Sequence, residues 1–145
     1  MKVAASLAVA MLVLLTTGAV PAGVDLVAFS GFDAAPQQAR LVQGLDWQTL
    51  VAISSVGGFR GVEVQPICDD VAVAAAEAGA QYYILGKLSA NGRSVRVALY
   101  ATTNAHPLRT SNVPVTPDGK LLQSGIAGLF DGSRWSTVVA ERGSC

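Results

Sequence analysis

His106 is the only histidine in the 145-residue chain, and it stands immediately before Pro107 in a stretch that reads as a loop. A hydrolytic site needs a nucleophile, a base that activates it and a donor for the developing charge. No serine or cysteine pattern accompanies His106, so it reads as a solvated turn residue. Only a deep pocket bringing it to an acid and a serine would make a hydrolytic enzyme of this chain. Gly57-Gly58-Phe59-Arg60-Gly61 has the composition of a phosphate cradle, but it follows a helical pattern and leads into a strand. Helix amides face an anion only in the opposite order, so the run reads as helix termination. Asp69 and Asp70 are adjacent carboxylates at a helix start, where acids cap the first turn rather than exchange protons with a substrate. Two distant cysteines and one histidine fall short of a closed zinc set. No catalytic residue, metal or cofactor is expected.

The remaining groups suit recognition. Tyr83, Leu85 and Lys87 alternate along one expected strand and Arg96, Ala98 and Tyr100 along the next, so all six share a face. Aromatic rings beside long cationic side chains make a partner surface at little cost in rotamer freedom. Tyr83, Lys87, Arg96 and Tyr100 are its candidate members. The alternative is an ordinary amphipathic sheet face partly shielded by the C-terminal helix.

These residues are positioned by a helix that feeds a β-hairpin between Glu77 and Tyr100. Gly79 can take the left-handed conformation that stops a helix, Ala90-Asn91-Gly92 can reverse the chain, and Ile84/Leu88 and Val95/Val97/Leu99 repeat with period two. Before it, Val24 to Ser30 reads as a first, central strand ended by Gly31. Pro36 suits the first turn of a helix in which Leu41, Leu45, Trp47, Leu50, Val51 and Ile53 recur at helical intervals before Gly57-Gly58. That helix is expected to pack on a sheet. Gly61 to Gln65 gives a second strand, closed by Pro66. Val71, Ala74, Ala75 and Ala78 then form a narrow stripe whose small residues allow close approach. Leu108 to Val115 reads as a weaker strand, and Pro114, lacking a donor, puts it at the sheet edge. Pro117 and Asp118 open a last helical region with Leu121, Leu122, Ile126, Leu129 and Phe130. Asp131-Gly132 breaks it from a second piece, Ser133 to Glu141, which carries Trp135, Val138 and Val139. The order β-α-β-α-β-β-β-α describes an α/β or α+β sandwich, a mixed sheet with helices mainly on one face.

The N-terminal residues set an expectation of export. Lys2, the apolar run Val3 to Leu15 and the small residues up to Ala22 have the layout of a secretory leader, with cleavage after Ala22 and Ala19 as the second choice. A retained membrane anchor is the rival, disfavoured because the run is short for a hydrocarbon layer of about 30 Å. No cysteine follows to accept a lipid. Residues 1–22 would then be a signal peptide and 23–145 a single domain with a C-terminal helical tail. Lys2 is the only charged residue before Gly23, so ten basic residues become nine against ten acidic ones, a formal charge of minus one. So even a balance argues against nucleic acid, which demands clustered cations. In an exported chain, Cys68 and Cys145 are expected to pair, which would stabilise the fold by about 4 kcal/mol on a chain-entropy model. Pairing with another molecule, or a free Cys145, is the alternative.

Three segments carry a family likeness. Val27-Ala28-Phe29-Ser30-Gly31-Phe32, Gln43-Gly44-Leu45 and Ala78-Gly79-Ala80-Gln81-Tyr82-Tyr83-Ile84-Leu85-Gly86, in this element order, resemble the TolB N-terminal-domain-like superfamily across Val24 to Phe130. Ser30 and Lys87 depart from its usual residues. The resemblance implies a small periplasmic protein-interaction module of the bacterial envelope, and not full-length TolB, whose Pal-binding β-propeller and extended TolA-binding arm have no counterpart in this sequence. Three classes follow: a non-catalytic exported binding module that docks envelope proteins, with outer-membrane or cell-wall assembly as candidate settings; a structural subunit that forms a homo-oligomer through a sheet edge; and, least favoured, an enzyme. No membrane span is expected in the mature form.

Overall fold

The structure, a computed structural model, describes residues 23–131. The expected leader, the second helical piece from Ser133 to Glu141 and Cys145 lie outside the described residues. Five strands form one mixed sheet: β1 (Asp25–Asp33), β2 (Phe59–Glu63), β3 (Tyr82–Leu88), β4 (Ser94–Ala101) and β5 (Arg109–Pro114). Their spatial order is β2-β1-β3-β4-β5, with β1 parallel to both neighbours and β3, β4 and β5 antiparallel in turn. Helix α1 (Ala39–Ser55) follows a 3-10 turn at Pro36–Gln38, α2 (Val71–Glu77) precedes the hairpin, and α3 (Gln123–Ala127) runs into a second 3-10 turn at Gly128–Phe130. The observed order is the β-α-β-α-β-β-β-α of the sequence, in the α+β class.

Helix α1 buries Leu45, Thr49, Ala52 and Ile53, a spacing of four, three and one that makes a single stripe. The stripe packs on Val27, Phe29, Ile84, Val95, Val97 and Leu99, the main core, which α3 completes with Ile126. Trp47 and Val51 do not join it. At about 100° per residue they lie across the helix from Leu45 and Thr49, and both are exposed.

The second helix covers the other face. Ala72 and Ala75 of α2 pack against Ala28 and Tyr83. The stripe of small residues is thus shifted from the expected one: Ala72 takes part, whereas Ala78, the C-cap, is exposed. Asp70 caps α2, accepting from the Ala72 amide at 2.8 Å, and Gly79, at φ +73°, follows its end.

Strand β1 runs past Gly31 instead of stopping there. A register shift between Phe29 and Phe32 lets both rings face the main core, 5.0 Å apart and edge to face. Gly31 at φ +99° supplies the bulge. Strand β2 begins two residues earlier than expected, with the half-buried Phe59 packed against the core, its ring 4.5 Å from Phe130 and 5.9 Å from Tyr82. The edges are β2 and β5. The Gly61 amide of β2 donates to the Ser54 hydroxyl oxygen at 3.0 Å, and Pro114 is the last residue of β5.

The last helix is shorter than the sequence suggests. Pro117-Asp118-Gly119 makes a turn, with Gly119 at φ +80° and the Thr116 amide donating to the Lys120 carbonyl at 2.9 Å. Leu121 pairs with Val115 as an isolated bridge. The Gln48 side chain of α1 holds this turn, donating to the Gly119 carbonyl at 3.0 Å and accepting from the Leu121 amide at 2.7 Å.

Candidate functional site

The hairpin places the expected recognition residues in cross-strand rows. Tyr83 faces Tyr100, Leu85 faces Ala98, and Lys87 faces Arg96. Each row has a different fate. Tyr83 is buried and its ring stacks on Tyr100 at 4.9 Å, under α2 rather than under the C-terminal helix. It therefore belongs to the second core. Beyond the end of α2 the sheet is open: Leu85 is exposed, Ala98 half-buried, and Lys87 and Arg96 are exposed. The Lys87 row continues to Asp33 on β1 and Asn112 on β5.

This open part forms a groove of about 410 Å³ whose lining includes Ser30, Asp33, Val71, Leu85, Lys87, Arg96 and Ala98. Like charges directly opposite on neighbouring strands destabilise a sheet. Lys87 and Arg96 are such a pair, with one carboxylate, Asp33, in the same row. A surface that holds two cations over an apolar floor is suited to an apolar group with an acidic fringe.

A second concavity of about 310 Å³ lies on the opposite face, between α1 and the β1–β2 edge, lined by Phe29, Gly31, Gln43, Asp46, Trp47, Leu50 and Glu63. Sequence reasoning missed Asp46. Its carboxylate accepts from the Phe32 amide at 2.9 Å and so ties α1 to the β1 bulge. A side chain at Gly31 would meet it, since a Cβ there would stand 2.9 Å from Asp46 Oδ2. Burial pushes the Asp46 carboxyl above the usual 3.8; the Phe32 hydrogen bond opposes that and the Glu63 charge adds to it. A carboxyl raised on folding binds more protons in the folded state, so it lowers stability as pH climbs from 3.8 through its raised value. Asp46→Asn keeps the acceptor and removes the charge. It is expected to be more stable than the wild type at neutral pH, with the advantage vanishing below pH 3.8, as read by urea midpoints across that range. An advantage that grew in acid would reverse the assignment.

The other residues with possible chemistry stay apart. His106 is exposed and its amide donates to Asn104 Oδ1 at 3.1 Å, a local turn. Cys68 is exposed, at φ +52°, and Asp69 follows at φ +56°. Among the described residues no three of His, Cys, Asp or Glu gather as metal ligands, and no helix is long and apolar enough to cross a membrane.

No protein-family model matches the chain, and no curated protein matches it. Among solved structures, a single-substitution variant of the PelC dodecamer from Paraburkholderia phytofirmans superposes with a TM-score of 0.51 at 16% identity, covering 78% of this chain and 90% of that one. The chain shares its fold with PelC. A second crystal form of the PelC dodecamer gives a TM-score of 0.47 at 16% identity, over 78% of this chain and 91% of that one. TolB from Acinetobacter baumannii gives 0.47 at 15% identity, with 79% of this chain matched to 30% of that one. At these identities the likeness is one of fold, and the surfaces described above are this chain's own.

Proposed function

We propose that this chain is a non-catalytic exported protein-interaction module of the bacterial cell envelope, working through the open part of its sheet. The observation that carries this reading is the Lys87–Arg96 pair facing each other over Leu85 and Ala98. A repulsive pair beside exposed apolar area is costly for an isolated monomer and becomes favourable once an acidic partner covers it. Tyr100 lies two residues along β4 from Ala98 on the same face, stacked on the buried Tyr83. The leader residues 1–22 support export, and in an oxidising compartment Cys68 and Cys145 would close one covalent loop.

A second reading, a self-associating structural subunit, is favoured by the shared fold, because PelC is a dodecamer. In such an assembly the partner is another copy of the chain.

One experiment addresses export and docking together. A photo-crosslinking residue placed at Leu85 of the full chain, expressed in envelope-bearing cells, is expected to give an adduct in the envelope fraction that is lost with Lys87→Glu/Arg96→Glu. The recovered protein is expected to start at Gly23 and to show no free thiol under non-reducing conditions. A chain left in the cytoplasm, or an adduct pattern indifferent to the charge reversal, would overturn the proposal.

A further inference from the structure

Two surfaces on opposite sides of the sheet complement each other in apolar character and in charge. On α1, Trp47 is 69% exposed and Val51, one helical turn on, is 40% exposed. Neither is needed by the core, and together they form an apolar ridge. The concavity beside Trp47 carries two carboxylates, Asp46 and Glu63. On the far side of the sheet, the groove has an apolar floor at Leu85 and Ala98 and two cations, Lys87 and Arg96, with Asp33 the single acid in its lining. One surface is a ridge with an acidic fringe, and the other is a groove with a cationic one.

We infer that Trp47 of one copy seats in the Leu85–Ala98 groove of the next, with Arg96 and Lys87 meeting Glu63 beside the ring. The inference rests on the self-associating reading above and moves the contact from a sheet edge to the sheet face and α1. Trp and Arg are the residues that most often dominate interface energetics, and a guanidinium over an indole adds a cation–π attraction. The charges also select the geometry. A two-fold contact sets a patch against itself, and the groove would then oppose Lys87 and Arg96 to their own copies. A head-to-tail contact pairs acid with base instead. Because ridge and groove occupy different sides of the chain, each copy has both a donor and an acceptor surface, and the contact repeats, closing into a ring where the rotation between copies allows it and running on as an open filament where it does not.

The test uses the full exported chain and two variants at exposed positions, Trp47→Ser and the double variant Lys87→Glu/Arg96→Glu, followed by sedimentation equilibrium. At concentrations low enough to dissociate the wild type, thermal melting of both is expected to match it, which separates lost assembly from lost folding. The wild type is expected to associate beyond a dimer, and Trp47→Ser to weaken each contact by about 30-fold or more. Mixing the two variants gives the sharper result. The Trp47→Ser chain retains a groove and the double variant retains a ridge, so the mixture is expected to form one-to-one heterodimers and nothing larger. A mixture that stays monomeric would point to a two-fold contact and overturn the head-to-tail arrangement. Wild-type assembly indifferent to both variants would misplace the contact while leaving self-association standing. A wild type that is monomeric at all concentrations would remove both.

Discussion

Gly86→Val is expected to lower stability by about 3 kcal/mol and the melting temperature by roughly 10 °C or more. Gly86 sits on the main-core side of β3, and an added Cβ would lie 2.4 Å from Phe32 Cδ1 and 2.5 Å from Cε1. The Phe32 ring cannot swing away freely, because it is buried and held edge to face against Phe29 at 5.0 Å. Overfilling a close-packed core forces either an off-rotamer ring or a shifted strand. The same geometry predicts a coupled rescue: Phe32→Leu, destabilising alone, is expected to cost less when Gly86 carries a side chain, so that the double variant is more stable than the sum of the two singles. Urea unfolding of the four proteins measures the coupling. Simple additivity would show that the ring and the glycine do not share that space.

Tyr83→Ala is expected to destabilise by about 3 kcal/mol, on the scale of other large aromatic truncations in cores. Tyr83 is 3% exposed and lies between Ala72 and Ala75 of α2 and the ring of Tyr100. Removing its ring leaves a cavity that alanines cannot fill. By contrast Lys87→Ala and Arg96→Ala, at exposed positions, are expected to change stability by less than about 0.5 kcal/mol. Thermal or urea unfolding of the three variants separates a core tyrosine from surface cations. A tolerated Tyr83→Ala would return that ring to the docking surface and contradict its burial.

The contrast between Tyr83 and Lys87 marks the limit of what the residue pattern carries. Alternation in Ile84/Leu88 and Val95/Val97/Leu99 specified the hairpin and which residues share a face, because period two is a property of the backbone itself. It did not specify which part of the second face α2 would cover, since that depends on where a seven-residue helix lands. Helical periodicity locates α1, yet hydrophobicity alone does not separate Trp47 from the packing face; the angle from Leu45 does. Gly31 gave a sound signal with a wrong consequence. A glycine can end a strand or bulge it, and only the Phe32–Asp46 hydrogen bond across to α1 decides in favour of the bulge. Proline, aspartate and glycine at 117–119 were legible turn chemistry that the apolar residues after them outweighed. The ties made by Gln48 and Gln38, which anchors the hairpin turn through the Ser89 carbonyl at 3.0 Å, leave no local pattern at all. They join positions far apart in the chain.

Each outer strand of the sheet is blunted at one position. At one end the Gly61 amide, on the side of β2 away from β1, is taken by Ser54 of the overlying helix; at the other, Pro114 offers no donor. Unpaired backbone groups along such margins are where strands of separate chains zip together. A blunted margin makes edge-to-edge strand pairing less favourable relative to contacts made by side chains.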